Sequence, residues 1–352
     1  MARRIRRDKE PSLKKTVKAS TTKAKEPDKK YDGNFEKMIS TGSTLLDLAI
    51  SGGVTRYGGI PSGILAEIFG KSGSGKTVLL CEMAGDVQRK GGQSKFNDPE
   101  GRLNKQFAKI FDFKIDPKLY SQPNTIPEVF EPIRTWEPKD PKVANGIFSD
   151  SLTALSTDLE MDNADGDKMG MRRAKEFSEQ CRKTCRVLVQ KDLLMACSNQ
   201  IRQTGNQIGE KYKSPGGEAV AFYASLRLKT ERIKKLTEKK KIKGKEHQRT
   251  YGILTEVEVY KSSVWKPFRK AHLYIVFDYG IDDIRANLQF VKEVSGASTY
   301  TIDGNEKLGV SMDDAIAAIE EGDLEQDLKE ATIDLWHEVE DKFKKNRKKK
   351  RR

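Results

Sequence analysis

The chain has 352 residues, 36% of them hydrophobic, with 66 Lys and Arg against 52 Asp and Glu for a net charge of +14. This is enough apolar material for one sizeable core and a smaller domain, and no apolar run approaches the roughly 18 residues of a membrane span. The basic N-terminus lacks the apolar stretch of a secretory leader. None of the four cysteines forms a CxxC pair, so reduced, mostly buried thiols in a reducing compartment are expected.

The charge is unevenly placed. Residues 1–30 hold twelve basic and four acidic side chains, residues 342–352 nine basic and none acidic, and residues 231–249 nine basic and three acidic. Two tails and one expected hairpin thus carry the basicity, a pattern that condenses on polyanions, nucleic acid above all. Residues 1–34 are rich in Lys, Ser, Thr and Pro and are expected to be a disordered basic extension. From residue 35 strands and helices alternate. ILAEIF (64–69) reads as a buried strand and TVLLCEMAGDVQRK (77–90) as a helix stopped by Gly91 and Gly92. SKFN (94–97) is a strand, helices follow near 104–112 and in TIPEVFEPIRTW, and NGIFSD (145–150) is a strand ending in an acid. A long amphipathic helix spans 169–190, with Phe177, Cys181, Cys185 and Leu188 along one stripe. LLMACSN (193–199) is the next strand. AFYASLRLKT, ILTEVEVYK and HLYIVFDYG follow as strands without helices between them. The expectation is an α/β fold: a mostly parallel sheet with helices on both faces and antiparallel strands at one edge. The predicted divisions are a core over 35–292, a small, mostly helical C-terminal region over 293–341 and a basic tail over 342–352.

GKSGSGKT (70–77) fits G-x-x-x-x-G-K-[ST] at every position: Gly70, Lys71, Ser72, Gly73, Ser74, Gly75, Lys76 and Thr77. The glycines permit a loop whose amides point inward around a β-phosphate, at the positive end of the following helix. Lys76 would reach the β- and γ-phosphates of a nucleoside triphosphate, and the Thr77 hydroxyl would hold Mg²⁺. Asp150, at a strand's C-terminal end, is placed to complete the magnesium shell; otherwise it would cap a helix. Asp98 and Glu100 stand at the end of the second strand, and Glu100 is the candidate for the carboxylate that orients the attacking water.

The stretches ISTGSTLLDLAISGG, DPEGRLNKQFAKIFDF, YSQPNT, SDSLTAL, SNQIR, GGEAVAFYASLRL and YKSSVWKPF, in this order around the phosphate motif, resemble the bacterial RecA recombinases and phage relatives such as UvsX. The resemblance covers about residues 38–292. It implies an ATP-dependent recombinase that coats single-stranded DNA as a helical homo-oligomeric filament, pairs it with homologous duplex and exchanges strands, with a single-strand binding protein or loader as further partner. It also implies roles: Glu100 catalytic, Phe107 stacked on adenine, Asn104 at the base edge, Gln200 sensing the γ-phosphate, and Lys261 reaching the ATP of a neighbouring subunit.

Two loops are expected to face DNA. The first, 160–173, carries Lys168, Arg172 and Arg173 beside Gly166 and Gly170. The second, 202–217, carries Arg202, Lys211 and Lys213, with Ile208 able to wedge between bases and Gly216 and Gly217 able to bring their amides close to phosphates. The chain departs from the family pattern at Ser263 and Ala221, where basic residues are the rule, unless Lys266 or Arg202 compensates. It also departs in its basic C-terminal end. Two alternatives stay open: a RecA-like single-strand binding mediator with weak ATPase activity, and a helicase or branch-migration factor on the same core.

Overall fold

The computed structural model describes residues 35–157, 169–203, 212–213, 219–303, 307–345 and 347. The N-terminal extension, most of the C-terminal tail and, of the expected DNA contacts, Lys168, Ile208, Lys211, Gly216 and Gly217 lie outside them.

A nine-stranded sheet organises the chain. Its strands, in spatial order, are β13 (Gly280–Ile281), β12 (Lys270–Val276), β11 (Lys245–Ser262), β10 (Leu226–Ile242), β3 (Leu65–Gly70), β7 (Leu193–Gln200), β6 (Asn145–Ser149), β4 (Ser94–Asn97) and β5 (Tyr120–Ser121). From β10 to β5 neighbours run parallel; from β10 to β13 they run antiparallel. The expected mixed sheet is therefore present, and the strand pairs β1 (Met38–Ile39) with β2 (Ile60–Pro61) and β8 (Arg202–Gln203) with β9 (Tyr212–Lys213) stand apart from it.

Both faces of the sheet are covered because its central strands are apolar on both sides. On β7, Leu194 and Ala196 join one core with Leu79, Leu80 and Met83 of helix α2 (Lys76–Arg89) and Leu46 and Leu48 of α1 (Thr44–Ser51). The alternate residues Leu193, Met195 and Cys197 join the opposite core, with Phe130 and Ile133 of α4 (Ile126–Thr135) and Phe177, Cys181 and Leu188 of α5 (Met169–Lys191). The predicted stripe on α5 is thus its buried face. All four cysteines are free thiols, and burial pushes those of Cys81, Cys181, Cys185 and Cys197 up. No group of three metal-ligating side chains occurs among the described residues.

The one misread segment is AFYASLRLKT. It opens with a short helix, α6 (Ala219–Tyr223), and becomes strand only at Leu226. Val220 is buried against the α5 side of the sheet, and Lys261 Nζ donates to the carbonyls of Ala221 and Phe222 at 2.9 and 2.8 Å, so tertiary contacts complete the turn.

The basic segment 231–249 is the predicted hairpin, larger than expected. β10 and β11 pair from Leu226↔Ser262 to Ile242↔Lys245 around a tight turn with positive φ at Lys243 and Gly244.

At the C-terminus, α7 (Asp283–Ser295), α8 (Met312–Glu321) and α9 (Glu325–Lys342) close a third core around Leu288, Val291, Ile319 and Leu328. α7 runs through residue 292, so the passage from core to appendage falls inside a helix. α9 is anchored to the core by Arg269 and Glu340, by Arg56 with Glu330 and Asp334, and by Trp336, whose ring lies 5.6 Å from that of Trp265.

Candidate nucleotide site

The C-terminal ends of β3, β4, β6 and β7 open onto one cleft of about 520 Å³, where parallel α/β sheets present their ligands. The loop from β3 to α2 forms its floor. Gly73 and Gly75 have φ of 68° and 89°, conformations that side chains rarely adopt. A Cβ on Gly75 would also collide with Ile275. Glycine is thus required for this loop to approach β12 and still turn its amides inward.

Lys76 is buried, and its ammonium donates to the carbonyls of Gly70 and Lys71 at 3.0 and 2.9 Å. Burial lowers its pKa, while Asp150 and Glu100 act in the opposite direction. Ser74 Oγ donates to the Lys71 carbonyl and meets Thr230 Oγ1 at 2.7 Å, tying the loop to β10.

Thr77 Oγ1 donates to Asp150 Oδ2 at 2.5 Å, and Ser198 donates to Asp150 Oδ1. Burial pushes the Asp150 carboxyl up, followed by the nearby Glu100; the two hydroxyls and Lys76 pull it down. Two hard oxygen donors converging at the mouth of an anion-binding loop fit Mg²⁺, which takes carboxylate, hydroxyl and phosphate oxygens.

Both oxygens of Glu100 are engaged: Ser151 Oγ donates to one at 2.8 Å, and Arg102 pairs with the other at 2.6 Å. Asp98, the other acid of this loop, is buried and accepts from the Leu103 amide and the Tyr120 hydroxyl. Asp98 therefore shapes the loop, and Glu100 faces the cleft.

Asn104 and Phe107 also line the cleft. Asn104 caps α3 (Lys105–Ile110), its Oδ1 accepting from the Phe107 amide at 2.8 Å, and Phe107 packs on Phe111. Opposite them stand Ile253, Ile275, Val276, Phe277 and Gly280. Gln200, the last residue of β7, reaches the cleft too, its amide donating to Thr153 Oγ1 at 2.9 Å. Two residues on, Arg202 pairs with Lys213 across the β8–β9 ladder, which closes the stem of the second expected DNA loop.

Other predicted residues lie elsewhere. Arg172 and Arg173 sit in the first turns of α5, and Arg173 Nη2 donates to the Thr153 carbonyl. Lys261 is bound to the carbonyls of α6 and is not among the residues lining the cleft of its own chain. Lys266 pairs with Glu340 and lies over the Trp265 ring.

Sequence reasoning missed Arg232. It stands on β10 at the cleft wall, with Nη1 3.4 Å from the position a Cβ on Gly73 would occupy. No acidic partner is found for it among the described residues.

A family model described as the RecA N-terminal domain matches residues 20–282. Protein RecA of Borrelia turicatae is 34% identical over 304 residues, covering 84% of this chain and 79% of that protein. Protein RecA of Thermus thermophilus is 32% identical, covering 81% of each, and that of Treponema denticola is 31% identical, covering 82% of this chain and 67% of that protein. The solved structure of the RadB recombinase aligns with a TM-score of 0.47 at 17% identity, over 69% of this chain and 98% of that one. With the sequence match spanning the sheet, the phosphate loop and the wall opposite it, the chain belongs to the RecA family of recombinases.

Proposed function

We propose that the protein is a DNA-dependent ATPase whose nucleotide state sets its grip on single-stranded DNA in a homo-oligomeric filament that pairs with duplex and exchanges strands. As a member of the RecA family it is a P-loop ATPase of recombination and repair. The observation that carries the finer reading is the position of Gln200: it touches the cleft through which a terminal phosphate would be reached, and it stands two residues before the ladder of the expected DNA loop.

ATP is the substrate. The loop amides and Lys76 hold its phosphates, Arg232 adds a second cation beside Gly73, and Asn104 and Phe107 receive the base. Thr77 and Asp150 would hold Mg²⁺, which when bound neutralises phosphate oxygens. Glu100, steadied by Ser151, orients the attacking water and takes its proton. Gln200 bonds the terminal phosphate and shifts when that bond is lost, moving the segment behind it. Lys261 reaches a neighbour's nucleotide in the filament, leaving its α6 carbonyls to do so.

In this reading the DNA contacts are Lys168, Arg172, Arg173, Arg202, Ile208, Lys211, Lys213, Gly216 and Gly217, the core spans 35–292, and the basic tails add affinity not specific to sequence. A single-strand binding protein or loader completes the system. No helix among the described residues is long and apolar enough to cross a membrane.

A coat protein with little turnover is the second reading, favoured by Ser263 and Ala221 standing where the family carries charge. ATPase assays with and without single-stranded DNA separate the two. Stimulation by DNA, with filaments visible by electron microscopy in a non-hydrolysable ATP analogue, supports the recombinase. Equal affinity for oligonucleotides in the empty, ATP and ADP states, with no polymerisation, overturns it.

A further inference from the structure

We propose that Asn104 makes the cleft accept a 6-oxo purine, guanine or hypoxanthine, at least as well as adenine, so that GTP and ITP are bound beside ATP. The proposal rests on the reading of this cleft as a nucleoside triphosphate site. The phosphate loop and the Thr77–Asp150 pair occupy one part of it. Another part is apolar, with Phe107, Ile110 and Phe111 on one side and Val276 and Phe277 on the other. A flat ring fits such a slot, and the few polar groups beside it decide which ring is held.

Asn104 lines the cleft immediately before α3, and the helix fixes which way its amide is turned. The Phe107 N–H can only donate, so the side-chain atom that meets it at 2.8 Å must be the amide oxygen. This is the ordinary work of an N-cap residue, which satisfies a backbone donor that the helix start leaves open. The other half of the amide, Nδ2 with its two hydrogens, has no partner among the described residues. It is the half left to a ligand, and Asn104 therefore meets a base as a donor.

Purines differ in what they ask of such a group. Adenine presents N7 as an acceptor but its 6-amino group as a donor, and the usual bidentate contact of asparagine with adenine spends the amide oxygen on that amino group. Here the oxygen would have to be shared with the helix end. A 6-oxo purine presents O6 and N7, two acceptors side by side, for which the NH₂ group alone suffices. The cleft's remaining unassigned side chains do not reverse this. Arg102 only donates, and it pairs with Glu100 at 2.6 Å. Asp278 is exposed and without a partner among the described residues. Its carboxylate accepts from the adenine amino group or from the N1–H of a 6-oxo purine alike.

The test uses the full chain with Mg²⁺ and measures dissociation constants for ATP, ITP and GTP by titration calorimetry, with hydrolysis of each as a second readout. The parent should bind ITP within about threefold of ATP or more tightly, with GTP following ITP. Asn104→Asp keeps a capping oxygen, because Asp and Asn cap about equally well, and replaces the donor with an acceptor. The ratio of ATP to ITP affinity should then move toward ATP by about 5- to 100-fold, the weight of one good base contact. Taking the ratio cancels the loss that a new negative charge near the phosphates inflicts on both ligands. Asn104→Ser also caps the helix but is too short to reach a base, and its ratio should fall between those two. A parent that prefers ATP to ITP by more than about tenfold overturns the inference. So does an Asn104→Asp ratio equal to the parent's, or a ratio that moves in Asp278→Asn and not in Asn104→Asp. A parent that binds none of the three nucleotides overturns instead the reading of the cleft, and shows this before any variant is compared.

Discussion

Arg227 Nε lies 2.6 Å from Glu67 Oε2, and Glu67 is completely buried beneath it between two parallel strands. The guanidinium is stacked 4.4 Å from the Phe69 ring centre. Glu67 also accepts from Asn199 Nδ2, Asn199 accepts from Thr153 Oγ1, and Thr153 holds the Gln200 amide. A continuous polar chain thus joins β10 to the residue proposed to sense the phosphate. Arg227→Met should destabilise the fold by about 3–5 kcal/mol, because it strands a buried carboxylate, and Glu67→Gln with Arg227→Met should restore much of that. Urea unfolding checks both. Additive losses in the double variant would show that the pair is not coupled.

The two acids of the 98–100 loop should part company on substitution. Glu100→Gln should bind ATP within about threefold of the parent and lose about 10²–10⁴ in turnover, the usual weight of a general base. Asp98→Asn should weaken stability by about 1–3 kcal/mol through the two partly buried hydrogen bonds that its buried carboxylate accepts. Its turnover should remain within a few fold. Steady-state ATPase with thermal melts resolves the difference, and normal turnover in Glu100→Gln removes its assigned role.

Lys76→Ala should abolish nucleotide binding. Arg232→Ala should weaken ATP binding by about 1.5–3 kcal/mol, or roughly 10- to 150-fold, as expected for a charged hydrogen bond lost. Titration calorimetry provides the values. An affinity for ATP unaffected by Arg232→Ala would place that guanidinium outside the phosphate site.

Burial pushes the Glu82 carboxyl up to about 7. The folded chain therefore holds a proton on Glu82 that the unfolded chain releases near 4.5. Between those values the native state binds more protons, so stability falls as pH rises from about 4.5 to 7 and levels off above. Glu82→Gln removes this dependence. The loss in unfolding free energy from pH 5 to pH 8 should shrink by about 2 kcal/mol, a figure already reduced for partial solvent access. Parallel pH curves for parent and variant would refute it.

The phosphate loop was readable from sequence because its geometry admits few residues: Gly75 must be glycine, and Thr77 and Asp150 must be short oxygen donors. The parallel core was readable because β3, β6 and β7 are buried on both faces and carry short apolar runs, Ile68–Phe69, Ile147–Phe148 and Leu193–Cys197. Arg232 was not readable. The ladder is irregular between Arg232 and Lys234, and a bulge re-aims side chains in a way no alternation pattern records. Nor could α6 be told from a strand, since five residues of Ala, Val, Phe and Tyr suit either, and Lys261, 40 positions away, closes its last turn. The separate tasks of Asp98 and Glu100 were hidden for the same reason: the partners that distinguish them, Tyr120 on β5 and Ser151 in the turn after β6, come from distant parts of the chain.

The chain has three tryptophans, and two of them, Trp265 on the core and Trp336 on α9, lie ring to ring. Their emission and near-ultraviolet dichroism must depend on whether the C-terminal helices are seated. Replacing the third, Trp136, with Phe would leave a built-in optical gauge of that docking, readable during filament growth without any attached dye.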